Sequence, residues 1–386
     1  MLVECAIEQA VPAPPSRPRT SFIKRILLGT AVAALFLGGL EWGARLIFGP
    51  TTPVPVYSGH KVAGQWLEAR GDSVYVVSQA SEMASTVFPT APRSPRIAVL
   101  GGSSVHGGSH LDASAEFPGL IEQATGITTL NLGKPANDSH DVVQILEELL
   151  AWPLDAVVVY TGHNDFGNLF FNDRFGNLTQ GMQAHLQAFL ERFQLFNVLK
   201  RTLQPEAQGK QNITANANET DMDLTAIGTE RRTAALRYYE INIQRMVWLT
   251  RRAGVPLILV TPVGNVGAPP AEKSCIFEPC AMKLHEQAIL QLNSDRAQSL
   301  KLLRHARDVD PIPLRAPSAA VEAVRALEGD AGVTVVDAVA LLPSDHSYEA
   351  PSRHLFLDPV HFSPAGHHAM ASLLSPIVTE VVHSDD

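Results

Sequence analysis

The sequence predicts an α/β protein in which a parallel sheet lies between two layers of helices, with one membrane-spanning helix ahead of it. Three observations carry this prediction. RIAVL at 96–100, AVVVY at 156–160 and VPLILVT at 255–261 are continuous apolar runs of the length and β-branched composition of strands buried on both faces. Amphipathic helical stretches alternate with these runs, which is the pattern of a parallel sheet. Before all of them, 26–40 is an uncharged, mostly apolar run.

The N-terminal segment decides the compartment. Residues 1–21 are polar and Pro-rich, and Arg17, Arg19, Lys24 and Arg25 precede the apolar run. The run 26–40 falls short of the roughly 20 residues that cross a bilayer, but continuing through Glu41, Trp42 and Arg45 to Phe48 is long enough. Glu41 and Arg45 are four apart and can pair at the exit, with Trp42 at the interface. Basic residues before the span predict a cytoplasmic N-terminus and export of the remainder across a bacterial inner membrane. A cleaved signal peptide and a buried core helix are the alternatives. Ala31 and Ala33 have the spacing of a cleavage site but fall inside the apolar run, which is too early.

The expected organisation is a tail at 1–25, an anchor at 26–48, a connector at 49–95 and one catalytic domain at 96–386. The connector contains one short strand candidate at 73–77. Further strands are expected at 128–132 and 333–336, with a helix at 142–150 after the second strand. Leu236, Tyr239, Ile243, Met246 and Val247 share one face of a long helix before the fourth strand. A helical region at 282–307 follows that strand, and a last helix at 366–382 turns Met370, Leu373, Leu374 and Ile377 inward. An insertion at 166–223 interrupts the alternation, helical over 182–199 and aperiodic after 204.

Composition excludes other classes. With 45% hydrophobic and 18% charged residues, the chain is not a disordered or acidic-tail protein. The net charge is −9 and no basic stripe occurs, so nucleic acid is not an expected partner. Three cysteines are too few for a disulfide scaffold and lack zinc-site spacing. On the exported side, Cys275 and Cys280 are close enough in sequence to form a disulfide, while Cys5 stays on the reducing side.

Three local patterns carry chemistry, and each falls at a predicted strand end or loop. Gly101-Gly102-Ser103-Ser104 follows the first strand, where a sharp turn presents a serine at the sheet edge that binds ligands in open α/β folds. Gly162-His163-Asn164-Asp165 follows the third strand, where an Asn amide can point into the same crevice. Asp358 stands three residues before His361, a spacing that lets a carboxylate orient an imidazole. Each pattern alone also suits ordinary turn and capping chemistry. Val105 excludes the Gly-x-Ser-x-Gly elbow, and no Gly-Lys-Ser/Thr follows to make a phosphate loop. His106, His110, His140, His163, His367 and His368 show no metal-ligand spacing, though His106 and His163 are candidates to line the crevice.

Taken together, these blocks resemble the SGNH (GDSL-type) hydrolases, in order, from Arg96 to His368. The matching residues are Gly101, Ser103 and Gly107; then Asn131-Leu132-Gly133; then Gly162, Asn164 and Asp165; then Asp358 and His361. An anchor ahead of the domain also resembles the membrane-tethered branch of that family. One position departs: Gly102 stands where the family has Asp. The resemblance implies a flavodoxin-like three-layer fold and a serine esterase that needs no metal or cofactor. It makes Ser103 the nucleophile, with Ser104 its rival, His361 the base and Asp358 the residue that orients it. The oxyanion donors would be the backbone N–H groups of Ser103 and Gly133 and the Asn164 amide. The implied substrate is an acyl ester on carbohydrate or lipid. An O-acyltransferase acting on an extracytoplasmic glycan with the same residues, and a non-catalytic tethered scaffold, are the alternatives.

Overall fold

Five strands, β4 (Arg96–Gly101), β5 (Thr128–Gly133), β6 (Ala156–Tyr160), β7 (Leu257–Val260) and β8 (Val333–Val336), form one parallel sheet in the order β5-β4-β6-β7-β8. The computed structural model describes residues 19–49, 66–76, 87–92, 94–107, 112–171, 190, 193–203, 229–275, 278–342 and 354–384. The tail at 1–18, most of the connector, 204–228, His110 and most of the helix expected over 182–199 lie outside the described residues.

β4 and β6 are buried at every position, as continuous Val, Ile, Leu and Ala runs require when both faces are covered. Register is continuous across the sheet, with Val99 opposite Asn131 and Val158, and Val158 opposite Ile258. The chain steps from β4 outward to β5 and returns to the other side of β4 as β6. The order therefore reverses between β4 and β6, and ligands bind outside the carboxyl ends of strands at such a point.

One face of the sheet is covered by α4 (Ser139–Leu149), α7 (Thr229–Ala253) and α10 (Ser318–Arg325). On α7, Tyr239, Ile243, Met246 and Val247 are buried, the face that the periodicity predicts. α3 (Phe117–Thr125), α11 (Ala338–Leu341) and α12 (Pro364–His383) cover the other face, where Met370 and Leu374 are fully buried and Leu373 and Ile377 pack partly buried against them. The region expected as helical at 282–307 is two helices, α8 (Ala281–Gln291) and α9 (Arg296–Val309), with the Asp295 side chain accepting from Gln298 N–H at the start of the second.

The connector holds more structure than the single strand expected. β1 (Leu67–Arg70), β2 (Ser73–Val76) and β3 (Val87–Pro89) pair as an antiparallel sheet. The fully buried Arg96 ties that sheet to the large one. Its guanidinium donates to the carbonyls of Pro89 (2.6 Å) and Pro153 (2.6 and 3.1 Å) and sits 5.2 Å from the Phe88 ring centre. Phe166, expected to begin the insertion, is instead core: it is 1% exposed and packs on Tyr239. It belongs to α5 (His163–Phe171).

Ahead of the domain, α1 spans Arg19–Phe48, and its Gly29–Phe48 stretch is long and apolar enough to cross a membrane, with mean hydropathy 1.5. A short amphipathic helix, α6 (Gln194–Leu203), packs beside it.

Candidate active site

β4 ends at Gly101 and the chain turns at once into a four-residue helix, α2 (Ser103–His106). The turn is tight because two glycines make it. A Cβ on Gly101 would come within 2.1 Å of the Tyr160 carbonyl, and one on Gly102 within 2.6 Å of the Asn164 amide nitrogen. Ser103 thus emerges at the carboxyl edge of the sheet beside the end of β6.

The C-terminal loop reaches the same place from 258 residues away along the chain. Ser103 Oγ lies 2.8 Å from His361 Nε2, and His361 Nδ1 lies 2.5 Å from Asp358 Oδ2. An ionised carboxylate can only accept, so Nδ1 carries the imidazole proton and Nε2 is left to accept from the Ser103 hydroxyl. Burial would raise the Asp358 pKa, but the hydrogen bonds from the His361 ring, His361 N–H and Val360 N–H outweigh it and hold the carboxyl at about 2. Its other oxygen, Oδ1, accepts both backbone N–H bonds at 2.8 Å, so one carboxylate shapes the loop and orients the ring.

Other contacts hold that loop in register. Leu357 N–H donates to the His361 carbonyl, Asn265 N–H donates to the Pro359 carbonyl, and Phe356 stacks on Phe362 at 5.2 Å. Ser104, the rival nucleophile, is buried and donates its hydroxyl to the Val360 carbonyl at 3.0 Å. Its neighbour Ser103 is the serine within hydrogen-bond reach of the imidazole.

Asn164, first turn of α5, spends one amide hydrogen on the Asn137 carbonyl at 2.8 Å. An amide has two hydrogens, so one remains for a ligand in the cleft. Ser103 N–H donates to no group among the described residues. The Gly133 N–H, expected as an oxyanion donor, donates to Asn131 Oδ1 at 3.0 Å, and the Val105 side chain and the His106 backbone nitrogen crowd the residue. Asn131 in turn donates to the Val105 carbonyl (3.2 Å) and Glu116 Oε2 (2.6 Å), locking the end of β5 to α2.

His163 lines the cleft with Ser103 and Asn164, but both ring nitrogens are engaged. Nδ1 accepts from Ala316 N–H at 3.0 Å, which leaves Nε2 to donate to the Val263 carbonyl at 3.2 Å. Burial, against the pull of the Val263 carbonyl, drops its pKa to about 3 and keeps the ring neutral. Asp165 is half-buried and accepts from Ser139 N–H and the Ser139 hydroxyl, while Asn242 donates to that hydroxyl oxygen. Burial first, then the nearby Asp138 carboxylate, raises Asp165 to about 8 despite the Ser139 bonds. Sequence reasoning did not single out Asn137, Glu116, Ser139 or Asn242. The available signal was the Asp138-x-x-Asp141 capping box that opens α4.

Cys275 and Cys280 are joined by a disulfide with a Cα–Cα distance of 5.0 Å. Among the described residues, no group of three or more His, Cys, Asp or Glu side chains is arranged to hold a metal.

No protein-family model and no curated protein matches the chain. It is similar in structure to a lipolytic protein of the G-D-S-L family from Desulfitobacterium hafniense, at 12% identity and a TM-score of 0.38, over 73% of this chain and 98% of that one. The lipase/acylhydrolase from Enterococcus faecalis is similar at 15% identity and a TM-score of 0.36, covering 74% and 95%. An acetyl xylan esterase is similar at 13% identity and a TM-score of 0.37, covering 73% and 99%. At these identities and scores the likeness is one of general chain path and carries no chemistry. Of these three similar structures, one is described as lipolytic and of the G-D-S-L family, one as a lipase/acylhydrolase and one as an acetyl xylan esterase.

Proposed function

We propose that the chain is a membrane-tethered serine esterase of the SGNH type, with its catalytic domain on the extracytoplasmic face. The observation that carries this reading is the hydrogen-bonded run Ser103–His361–Asp358 at the sheet's carboxyl edge, beside the Asn164 amide. Ser103 Oγ attacks the ester carbonyl carbon while His361 Nε2 takes the hydroxyl proton. The carbonyl oxygen becomes an oxyanion, met by Ser103 N–H and the second Asn164 amide hydrogen. When the tetrahedral intermediate collapses, the leaving alcohol departs with the proton from Nε2, and the acyl group stays on Ser103. Water then attacks the acyl carbon and gives its proton to Nε2. That proton returns to Ser103 Oγ as the carboxylic acid leaves. Asp358, held ionised, stabilises the imidazolium formed at each step.

The test uses the full chain in detergent with a fluorophosphonate probe and p-nitrophenyl acetate. Ser103 is expected to carry the label, and Ser103→Ala to lose it together with a factor of about 10³ or more in turnover. Unchanged labelling and hydrolysis in Ser103→Ala would refute the assignment. Adding candidate sugars separates hydrolysis from transfer, since acetylated sugar accumulating faster than acetate would make the chain an acyltransferase.

A further inference from the structure

The end of α1 is docked onto the domain at several points. Glu41, a carboxylate in a mostly apolar stretch, accepts the backbone N–H groups of Gln194 (2.7 Å) and Leu195 (2.9 Å) at the start of α6. Arg45 donates to the same carboxylate at 2.7 Å. The Ile47 carbonyl accepts from Arg252 at 2.9 Å. Gly49 is wedged so tightly that a Cβ would meet Arg245 Nη1 at 2.4 Å and the Trp248 ring at 2.5 Å. A carboxylate in an apolar span is costly unless its oxygens are satisfied, and here the start of α6 and Arg45 satisfy them. The Ile47–Arg252 bond and the close packing of Gly49 on Arg245 and Trp248 tie the end of the span to α7.

Topology gives the orientation of the domain. α7 starts above the carboxyl edge of the sheet: its Tyr239 hydroxyl donates to the Thr161 carbonyl, just past the end of β6. It ends at Ala253, four residues before β7 begins, hence at the amino edge. Arg245, Trp248 and Arg252, which grip the end of α1, lie in its lower half. From Tyr239 to Arg252 the helix descends about 20 Å at 1.5 Å per residue. Arg251 beside them donates to the Ala331 carbonyl, which precedes β8 at the same amino edge. The anchor therefore leaves from one edge of the sheet while Ser103, His361 and Asn164 stand at the other.

We infer that the domain is seated with its amino edge on the bilayer and its cleft toward the water, and that its substrate is a water-borne acyl ester rather than a membrane phospholipid. This rests on the esterase reading above. A phospholipid ester lies at the depth of the span's exit, a full sheet length from Ser103, and lifting it there exposes its acyl chains to water.

The experiment places the full chain, with Cys5→Ser, in phosphatidylethanolamine–phosphatidylglycerol vesicles carrying a headgroup-linked acceptor dye. A donor dye goes on Ser103→Cys in one sample and Ala331→Cys in another. Energy transfer several-fold stronger from position 331 is expected; equal transfer, or stronger transfer from 103, overturns the seat. In parallel, the unlabelled chain in the same vesicles receives a water-soluble acetylated oligosaccharide. Acetate release with no fatty-acid release above a Ser103→Ala control is expected, and Ser103-dependent cleavage of the vesicle phospholipid overturns the substrate class. If the soluble ester is not cleaved and fluorophosphonate fails to label Ser103, the esterase reading falls, while the energy-transfer comparison still decides the orientation.

Discussion

Glu116 gives the sharpest test of how the site is held together. It is 2% exposed, and its Oε2 accepts from the Asn131 amide at 2.6 Å. Burial pushes its carboxyl up to about 7 from 4.5, against the downward pull of that hydrogen bond. Between those values the folded chain retains a proton that the unfolded chain releases, so stability falls as pH rises through the window. The gap is 7 minus 4.5, and at about 1.4 kcal/mol per pH unit it amounts to about 3 kcal/mol once the pH passes 7.

Glu116→Gln keeps the shape and the acceptor for Asn131 but cannot ionise. At pH 5, below the folded pKa, the variant and the parent should melt within a degree or two of each other. At pH 8 the variant should be more stable by about 3 kcal/mol, which is about 5 °C in Tm for a domain of this size. Thermal unfolding of the full chain in detergent from pH 5 to 8.5 measures this. Asp165, raised to about 8, tilts both curves in the same sense, so the readout is the difference between the curves and not either slope. Parallel curves for the two proteins would show that Glu116 is ionised in the fold and would refute the reasoning.

Three further outcomes follow from the geometry. If Asn164 donates to the oxyanion as proposed, Asn164→Ala should lower kcat by about 10²–10³ with little change in KM; a loss confined to KM would place Asn164 in substrate binding instead. Ser104→Ala removes the bond to the Val360 carbonyl but leaves Ser103 beside His361, so fluorophosphonate labelling should persist with turnover reduced by no more than about tenfold. Loss of labelling there would make Ser104 the nucleophile. Arg96→Leu strips the donors from the Pro89 and Pro153 carbonyls and should destabilise the chain by about 3 kcal/mol in thermal unfolding, an effect absent if those carbonyls find water.

β4, β6 and β7 were legible because each is an apolar run buried at every position, whereas β5, with Thr128, Thr129 and Asn131, and the half-buried β8 were legible as short strand-like runs between turn residues. Of the β1–β3 sheet only β2 was legible, because these strands have three or four residues and mostly exposed positions, too few for alternation to register in the other two. Its stability comes from afar, through Arg96 and through Glu148, which accepts from Trp66 N–H and Leu67 N–H. α2 escaped for the same reason: four residues hold no helical period. In the site, Asp358 and His361 were readable since their bond spans three residues, a local matter of turn geometry. Glu116 and Asn242 act across 15 and 103 residues of chain, and no local pattern marks such partners.

Gly133 and Gly102 show how spacing and direction part company. The position of Gly133 after β5 suits an oxyanion donor, but its N–H direction is set by the Asn131 side chain two residues earlier, which turns the hydrogen inward. In the proposed mechanism, stabilisation of the oxyanion then falls on Ser103 N–H and the Asn164 amide, so the placement of that amide matters more. It is fixed on one side by the Asn137 carbonyl at 2.8 Å, and on the other by the bare backbone of Gly102. Any Cβ at 102 would stand 2.6 Å from Nδ2 and 3.1 Å from the Asn137 carbonyl. Side-chain flexibility would let Asn164 swing aside at little cost to stability, but the donor would leave the cleft. The bare backbone of Gly102 therefore gives the Asn164 amide the room it occupies beside the Asn137 carbonyl.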